Sequence, residues 1–458
     1  VDLSNTKNKI SSKEFEKFIT MKNFSLPNQD ISFASINKIN FDLNKNYKLE
    51  NIDVKSKINT ENIIINYKSQ RINKYFGNFK NQAKLSQSDF EIDYTKNNLN
   101  IDLKSKYSIN DINENINLKI GKKDNNYFFD LDIDLDGAIV KIDELEYIKK
   151  QNIKSNLFLK GVYKNNKEII FNNLKFNEED KYFLIQNLEI DKNDKIKNLD
   201  LLKIDLINKI GKKNKLEFKK VNNNYYLTGS EFDGTRNIKK LLDNSSRSIF
   251  SYFRNLNAKI YLDIDKYFVD KKSHLSNVKG EIQLKNSKIF NSDLSAKLNK
   301  NRKFELKIVT NNNQKITKLD IEKPAPFINN FKFIKGFKEG NLNYESFEYE
   351  GKTKSNLKIV DFKVQEVPVL AKLLTLASLQ GIADLLTGEG IRFTNFEMDY
   401  ESLGNTTTIN EMYAIGPAIS LLMEGYIVKD NLTSLRGTLV PATTVNKTIS
   451  KIPMLGEI

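Results

Sequence analysis

The feature that most constrains this chain is its alternation. Through the first 360 residues apolar side chains recur at every second position, as in Ile39-Phe41-Leu43, Ile63-Ile65-Tyr67, Phe90-Ile92-Tyr94, Leu99-Ile101-Leu103 and Ile116-Leu118-Ile120. A strand sends successive side chains to opposite faces, so this period puts the apolar set on one face and Asn, Asp and Lys on the other. Half-buried antiparallel strands with one wet face read this way. Polar clusters punctuate the pattern at 122–126, 164–167, 177–180, 191–194, 211–214, 222–224 and 311–313. Asn, Asp and Gly tolerate the left-handed backbone that tight turns need, so each cluster is a candidate hairpin turn. The alternating region holds roughly 25 strands of ordinary length.

Side by side at about 4.8 Å, that many strands would extend about 120 Å. Strongly twisted sheets of such width curl or split. The expected fold is therefore all-β: an elongated, mostly antiparallel curled sheet, a trough with an apolar groove, carrying a few short helices. Packed sandwiches satisfy the same periodicity, and alternation does not separate the two. In either, Leu131, Ile133 and Leu135 face the apolar interior and Asp130, Asp132 and Asp134 face water.

Helical patterning is confined to three places. Ser12 to Met21 groups Phe15, Phe18 and Ile19, and Ile238 to Phe253 contains Leu241, Leu242, Ile249 and Phe250. The strongest pattern runs from Pro368 to Leu386: proline suits a first helical turn, and Gly388 and Gly390 lie just past the end. Its length approaches that of a membrane span, but Lys372, Gln380, Gly381 and Asp384 interrupt it, and polar groups are expensive in hydrocarbon. A helix lying against the sheet's apolar face fits better. Leu370, Leu373, Leu374 and Leu385 on this helix, and Phe393 in the strand that follows, join Leu131, Ile133 and Leu135 as candidate groove residues.

Composition then removes function classes. There is no cysteine, which excludes thiol catalysis, disulfide scaffolds and cysteine metal sites, and His274 is the only histidine. Hydrophobic residues at 39% exclude a disordered chain, and 7 Pro and 19 Gly argue against a linker-rich one. The net charge of +15 raises the question of nucleic acid, but the lysines are interleaved with carboxylates and no Arg-rich helix or Gly/aromatic box accompanies them. A solvated β surface, or attraction to anionic lipid head groups, accounts for the charge equally well. Asp132-Ile133-Asp134-Leu135-Asp136-Gly137 matches half of a calcium loop, with Asp143 at the twelfth position. It sits in an alternating strand from Tyr127 to Leu135, where the carboxylates read as a solvated face. No nucleophile elbow, HExxH pair or phosphate-cradling loop is present. The expectation is a non-enzyme without catalytic, cofactor-binding or metal residues.

The last hundred residues carry a more specific pattern. Val367-Pro368-Val369-Leu370-Ala371-Lys372-Leu373-Leu374 leads into Ala377-Ser378-Leu379-Gln380-Gly381 and Leu385-Leu386-Thr387-Gly388-Glu389-Gly390-Ile391. Ala414-Ile415-Gly416-Pro417-Ala418, Leu435-Arg436-Gly437-Thr438-Leu439-Val440-Pro441 and Lys451-Ile452-Pro453-Met454-Leu455-Gly456 follow. This string resembles the C-terminal region of the AsmA-like proteins of the YhdP type, within the TamB–AsmA superfamily of bridge-like lipid transfer proteins. Leu227-Thr228-Gly229-Ser230-Glu231-Phe232-Asp233 resembles a G-x-x-[FL]-D step of the same family. The resemblance divides the chain into an N-terminal groove segment, 1–225, a β segment, 226–360, and a C-terminal module, 361–458, with its helix at 368–386.

That resemblance implies a periplasmic protein of the Gram-negative envelope, anchored in the inner membrane through a segment outside this chain. Its hydrophobic groove would pass phospholipid acyl chains toward the outer membrane, with outer-membrane components at its far end, no nucleic acid and no enzymatic step. A structural or assembly factor for outer-membrane proteins or envelope polysaccharide is the alternative. The chain opens on Val1 and ends two residues past Gly456, so the natural protein is expected to extend beyond both ends.

Overall fold

The structure, a computed structural model, describes residues 1–16, 24–109, 112–237, 249–299, 301–329, 335–366, 390–417, 419–429 and 432–441. Within them the chain is all-β, with 28 strands and only short helices, among them Ser12–Glu16, Gln70–Tyr75 and Ala325–Ile328. Among the described residues no helix is long and apolar enough to cross a membrane. The pattern at 368–386 lies outside the described residues, as do 17–21 of the first helical pattern and 238–248 of the second. The end of the latter, Ile249–Tyr252, is a single 3₁₀ turn.

Two compact units divide the chain: Val1–Val221 with Tyr252–Arg254, and Asn222–Ser251 with Asn255–Ile458.

In the first unit each long strand pairs antiparallel with the next. Asp2–Ser11 lies on Asp30–Leu43, which pairs with Leu49–Tyr67, then Gln82–Tyr94, Asn98–Ile109, Ile112–Lys123 and Asn126–Asp134. The last of these skips a small hairpin, Val140–Ile142 with Tyr147–Lys149, and pairs with Ser155–Tyr163. Ile169–Glu178, Lys181–Ile190, Leu201–Ile207 and Lys213–Val221 continue the sheet. The strands Asp2–Ser11 and Lys213–Val221 end this order without pairing to each other, so the sheet is open.

The turn clusters do the work expected of them. Asp124 and Asn125, Lys167, Glu179, Asp194, Gly211, Asn222, and Asn312 and Asn313 all have positive φ. Every one of the seven clusters thus contributes a residue in the left-handed region, the local requirement for reversing a strand in so few residues.

The second unit begins with a parallel pair of strands. Asn224–Asp233 runs alongside Ala258–Phe268, and antiparallel strands follow through Leu432–Pro441. The Gly229–Asp233 step ends the first of these strands. Phe232 is buried against Tyr267, and the Asp233 carboxylate accepts from the Thr235 backbone N–H and hydroxyl, turning the chain out of the sheet. A parallel neighbour needs such an exit, because a tight hairpin can join only antiparallel strands.

Candidate functional site

Registers in the first unit convert alternation into rows. Ile58, Phe90, Leu103, Leu118 and Leu131 stand opposite one another on successive strands, and the row continues through Leu159, Leu174, Ile185, Leu202 and Phe218. Ten strands give nine steps of about 4.8 Å, an apolar line about 43 Å long. A parallel row toward one end of the strands holds Ile116, Ile133, Leu157, Phe176, Phe183, Ile204 and Leu216. Toward the other end Ile92, Ile101, Ile120, Phe129, Gly161, Phe171 and Leu188 form a third.

Gly161 is required where it stands. A Cβ there would lie 2.1 Å from the Ile170 carbonyl oxygen and 2.6 Å from the Phe129 ring. The register shifts between Lys160 and Gly161, leaving Asn172 as the extra residue of the neighbouring strand. The Phe129 and Phe171 rings close over the gap edge to face, 5.8 Å apart.

Burial across these rows is graded. At one end of the strands Ile63, Leu85 and Tyr107 are each under 9% exposed, and two clusters seal the face. One joins Leu26, Ile31, Ile63, Leu85, Leu103 and Tyr107. The other joins Leu135, Ala138, Val140, Tyr147, Phe176, Ile204 and Leu206. Leu131, Leu159, Leu174, Ile92, Ile101, Ile120 and Phe129 belong to neither cluster and remain half-exposed. At the far end Tyr94, Tyr127 and Tyr163 are 41%, 42% and 39% exposed.

The sealed end is pinned by polar groups. The Lys149 ammonium is fully buried and donates to the carbonyls of Leu135, Asp136 (2.9 Å) and Ala138 (2.8 Å), which clamps residues 135–149 against the sheet. Burial lowers its affinity for the proton from the usual lysine value, while the charges of Glu114 and Asp136 oppose that shift. Glu114, also buried, accepts from the Gly137 backbone N–H at 3.0 Å and from the Tyr107 hydroxyl at 3.1 Å. Burial raises its carboxyl above the ordinary range.

The opposite face of the same sheet is charged. Lys57, Glu91, Asp102, Lys119, Asp130 and Lys160 form one row, with ion pairs Lys57–Glu91 (2.9 Å), Lys119–Asp102 (2.8 Å) and Lys160–Asp130 (3.1 Å). Exposed pairs of this kind contribute little to stability, but they keep this face wet. A cleft of about 850 Å³ is lined by this row and by the neighbouring Lys38, Lys55, Asp93, Asn100, Phe128 and Val162. A smaller one, about 460 Å³, is lined by Asp89, Lys104, Asn115, Asn117, Asp132 and Asp134 among others. Of the calcium-like stretch, Asp132 and Asp134 belong to this charged face, whereas Asp136 lies past the strand and accepts from the Ser155 backbone N–H. Asp130 pairs with Lys160, Asp132 accepts from Asn156 and Asp134 from Asn115.

The second unit repeats the design. Leu227, Leu262, Gly280, Leu294, Leu306 and Leu319 form a row continued by Tyr344, Leu357, Met398, Met412, Met423 and Gly437. The three methionines, on adjacent strands, are half-buried. One row along, Ile321, Leu342, Ile359 and Ala414 are buried. Lys318–Glu345 (2.7 Å) and Lys352–Glu401 (2.6 Å) occupy the other face.

The residues singled out from the sequence fall into three groups. Leu131 and Ile133 lie on the apolar face, half-exposed, and Ile133 also packs against both sealing clusters. Leu135 lies just past its strand, 2% exposed inside the second cluster. Phe393 is 3% exposed and stacked on Phe362 (5.3 Å), which stacks in turn on Phe337 (5.2 Å). Leu370, Leu373, Leu374 and Leu385 lie outside the described residues. Lys149 and the row of tyrosines were not singled out. A lysine in a Lys-Lys pair reads as surface, whereas the tyrosines at the ends of three alternating strands, Tyr94, Tyr127 and Tyr163, were a visible signal.

With this geometry in hand, the chain can be set against known proteins. No protein-family model, no curated protein and no solved structure matches it.

Proposed function

We propose that this chain is a non-enzymatic envelope protein whose apolar sheet faces carry phospholipid acyl chains between inner and outer membranes. The observation that supports this most is the uncovered part of the first unit's apolar face. Within a row about 43 Å long, Leu103 is sealed inside one cluster, while Leu131, Leu159 and Leu174 remain half-exposed. Each methylene left in water costs about 0.8 kcal/mol, so a sixteen-carbon chain crossing water unaided faces roughly 12 kcal/mol. A continuous apolar strip lowers that barrier by contact alone and needs no reacting group. The charged face behind it keeps the sheet soluble while the apolar face is loaded. The AsmA-like motif of residues 361–458 points the same way and supplies the periplasmic setting.

The test is lipid capture. The purified chain should retain phospholipid detectable by mass spectrometry and should bind a fluorescent phospholipid competitively with unlabelled lipid. Replacing Leu118 and Leu131 by Asp sets two charges in the middle of the row and should abolish capture, because a buried unpaired charge is costly. Absence of bound lipid in the wild type, or undiminished capture by the double variant, would refute the proposal.

A further inference from the structure

The open end of the first unit's apolar face has its own chemistry. Tyr94, Leu99, Lys122, Tyr127 and Tyr163 stand in register on five successive strands, the last row before the turns. The Lys122 ammonium lies 5.7 Å from the centre of the Tyr127 ring. The three tyrosines are about two-fifths exposed, and their hydroxyls have no hydrogen-bond partner among the described residues. Rings with an apolar body and a free polar tip are the side chains that settle at a lipid–water interface.

Beside this row the hairpin joining Asp30–Leu43 to Leu49–Tyr67 carries an exposed apolar tip. Leu43 is 58% exposed, Tyr47 87% and Leu49 55%, and Lys45 and Lys48 stand between them. Tyr47 has a φ of 57°, so the turn is a tight, specified one. The Asn44 side chain accepts from the backbone N–H groups of Asn46 and Lys48, which holds the tip in shape. Three large apolar side chains held in water by an ordered turn want a cover. The five turns at this end, 44–50, 95–97, 122–126, 164–168 and 191–195, contain nine lysines against five carboxylates. The cover that suits both features is apolar beneath and anionic at its surface.

We propose that this end of the first unit docks on an anionic phospholipid surface. Leu43, Tyr47 and Leu49 enter the boundary between head groups and acyl chains, and Tyr94, Tyr127 and Tyr163 lie at head-group depth. The turn lysines meet the phosphates. The strands then stand away from the surface and the rows lie parallel to it, the tyrosine row lowest and the half-exposed rows just above, so a lipid leaving the bilayer meets apolar side chains at once. The inference rests on the lipid-path reading in one respect, that the rim is where the open face starts. Docking and capture are nevertheless separate measurements.

The experiment is co-sedimentation of the 458-residue chain with vesicles of phosphatidylcholine alone and of phosphatidylcholine with phosphatidylglycerol. The wild type should partition onto the anionic vesicles and come off as salt is raised, since surface charge attraction is screened beyond a Debye length. Leu43→Ser, Tyr47→Ser and Leu49→Ser combined should cut that partition by about tenfold or more. These side chains are exposed, so the variant should keep the wild-type circular dichroism spectrum and its capture of single fluorescent lipids. Lys45→Gln with Lys48→Gln should weaken binding to anionic vesicles only. Undiminished sedimentation of the triple variant, or no wild-type preference for anionic vesicles, would overturn the proposal. So would a self-association lost in the triple variant without any vesicle binding, which would make the tip a contact between copies. If instead Leu118→Asp with Leu131→Asp keeps vesicle binding and the wild type captures no lipid, docking stands and the lipid-path reading falls.

Discussion

Leu131 and Leu135 lie four residues apart in the same stretch and were read alike from the sequence, yet they should respond differently to truncation. Full burial of a leucine is worth about 1.5–3 kcal/mol, and Leu131 is half-buried on an uncovered face, so Leu131→Ala should cost about 1 kcal/mol. No cavity forms there, because the space it vacates is continuous with solvent. Leu135 is 2% exposed among Ala138, Val140 and Tyr147, so Leu135→Ala leaves an enclosed hole. Burial loss and cavity together put that variant at about 2–5 kcal/mol. Urea denaturation followed by circular dichroism measures both, and fluorescent lipid capture is read on the same samples. Leu131→Ala should weaken capture with little loss of stability, and Leu135→Ala the reverse. Equal destabilisation of the two would mean that the row is part of a filled core. The apolar face would then have no free surface to offer, and the scaffold alternative would replace the lipid path.

Lys149→Met keeps the length of the stem but removes the donor from three buried carbonyls, each such loss costing about 1–3 kcal/mol. Partly offset by the relieved desolvation of the ammonium, it should destabilise the unit by about 3 kcal/mol and speed hydrogen exchange across 135–149; unchanged exchange would show that the clamp is not needed. Gly161→Val drives a branched side chain into the Ile170 carbonyl and the Phe129 ring, so it should cost at least about 3 kcal/mol; a variant with the wild-type denaturation midpoint would refute that crowding. Glu114 has its carboxyl raised from 4.5 by burial, so the folded chain holds that proton more tightly than the unfolded one. Its contribution to stability is complete below 4.5 and lost as pH rises through the raised value. Glu114→Gln should flatten the fall of the thermal midpoint with pH over that window, and an unaltered profile would remove Glu114 from the cause.

Strand and turn positions were open to reading because they depend on local chemistry. Alternation places Ile116, Leu118 and Ile120 on one face whatever lies above them, and Asp124-Asn125 or Asn312-Asn313 turn the chain by their own backbone preference. Coverage of a face is a long-range property and was not legible. Leu135 continues the period of Leu131 and Ile133, but the strand stops at Asp134 and the chain folds back so that its next turn becomes a lid. Phe393 likewise looked like a lining residue, and it is buried against Phe362, 31 positions earlier in the chain, which stacks in turn on Phe337. The shift at Gly161 depends on the neighbouring strand's extra Asn172, which no single-strand pattern reveals. The parallel pair was hidden for the same reason: pairing direction follows from how the chain returns after Asp233.

Three of the chain's five methionines, Met398, Met412 and Met423, stand shoulder to shoulder in the second unit's row. A thioether side chain is unbranched and polarizable, so this stretch can reshape itself around saturated or kinked hydrocarbon where a run of isoleucines would hold one contour. The same sulfurs are open to oxidation. Conversion to sulfoxide would set three polar groups side by side over about 10 Å of an otherwise apolar line. An oxidant would thus cut the line at one known point while leaving every backbone ladder intact, and methionine sulfoxide reductase chemistry would restore it.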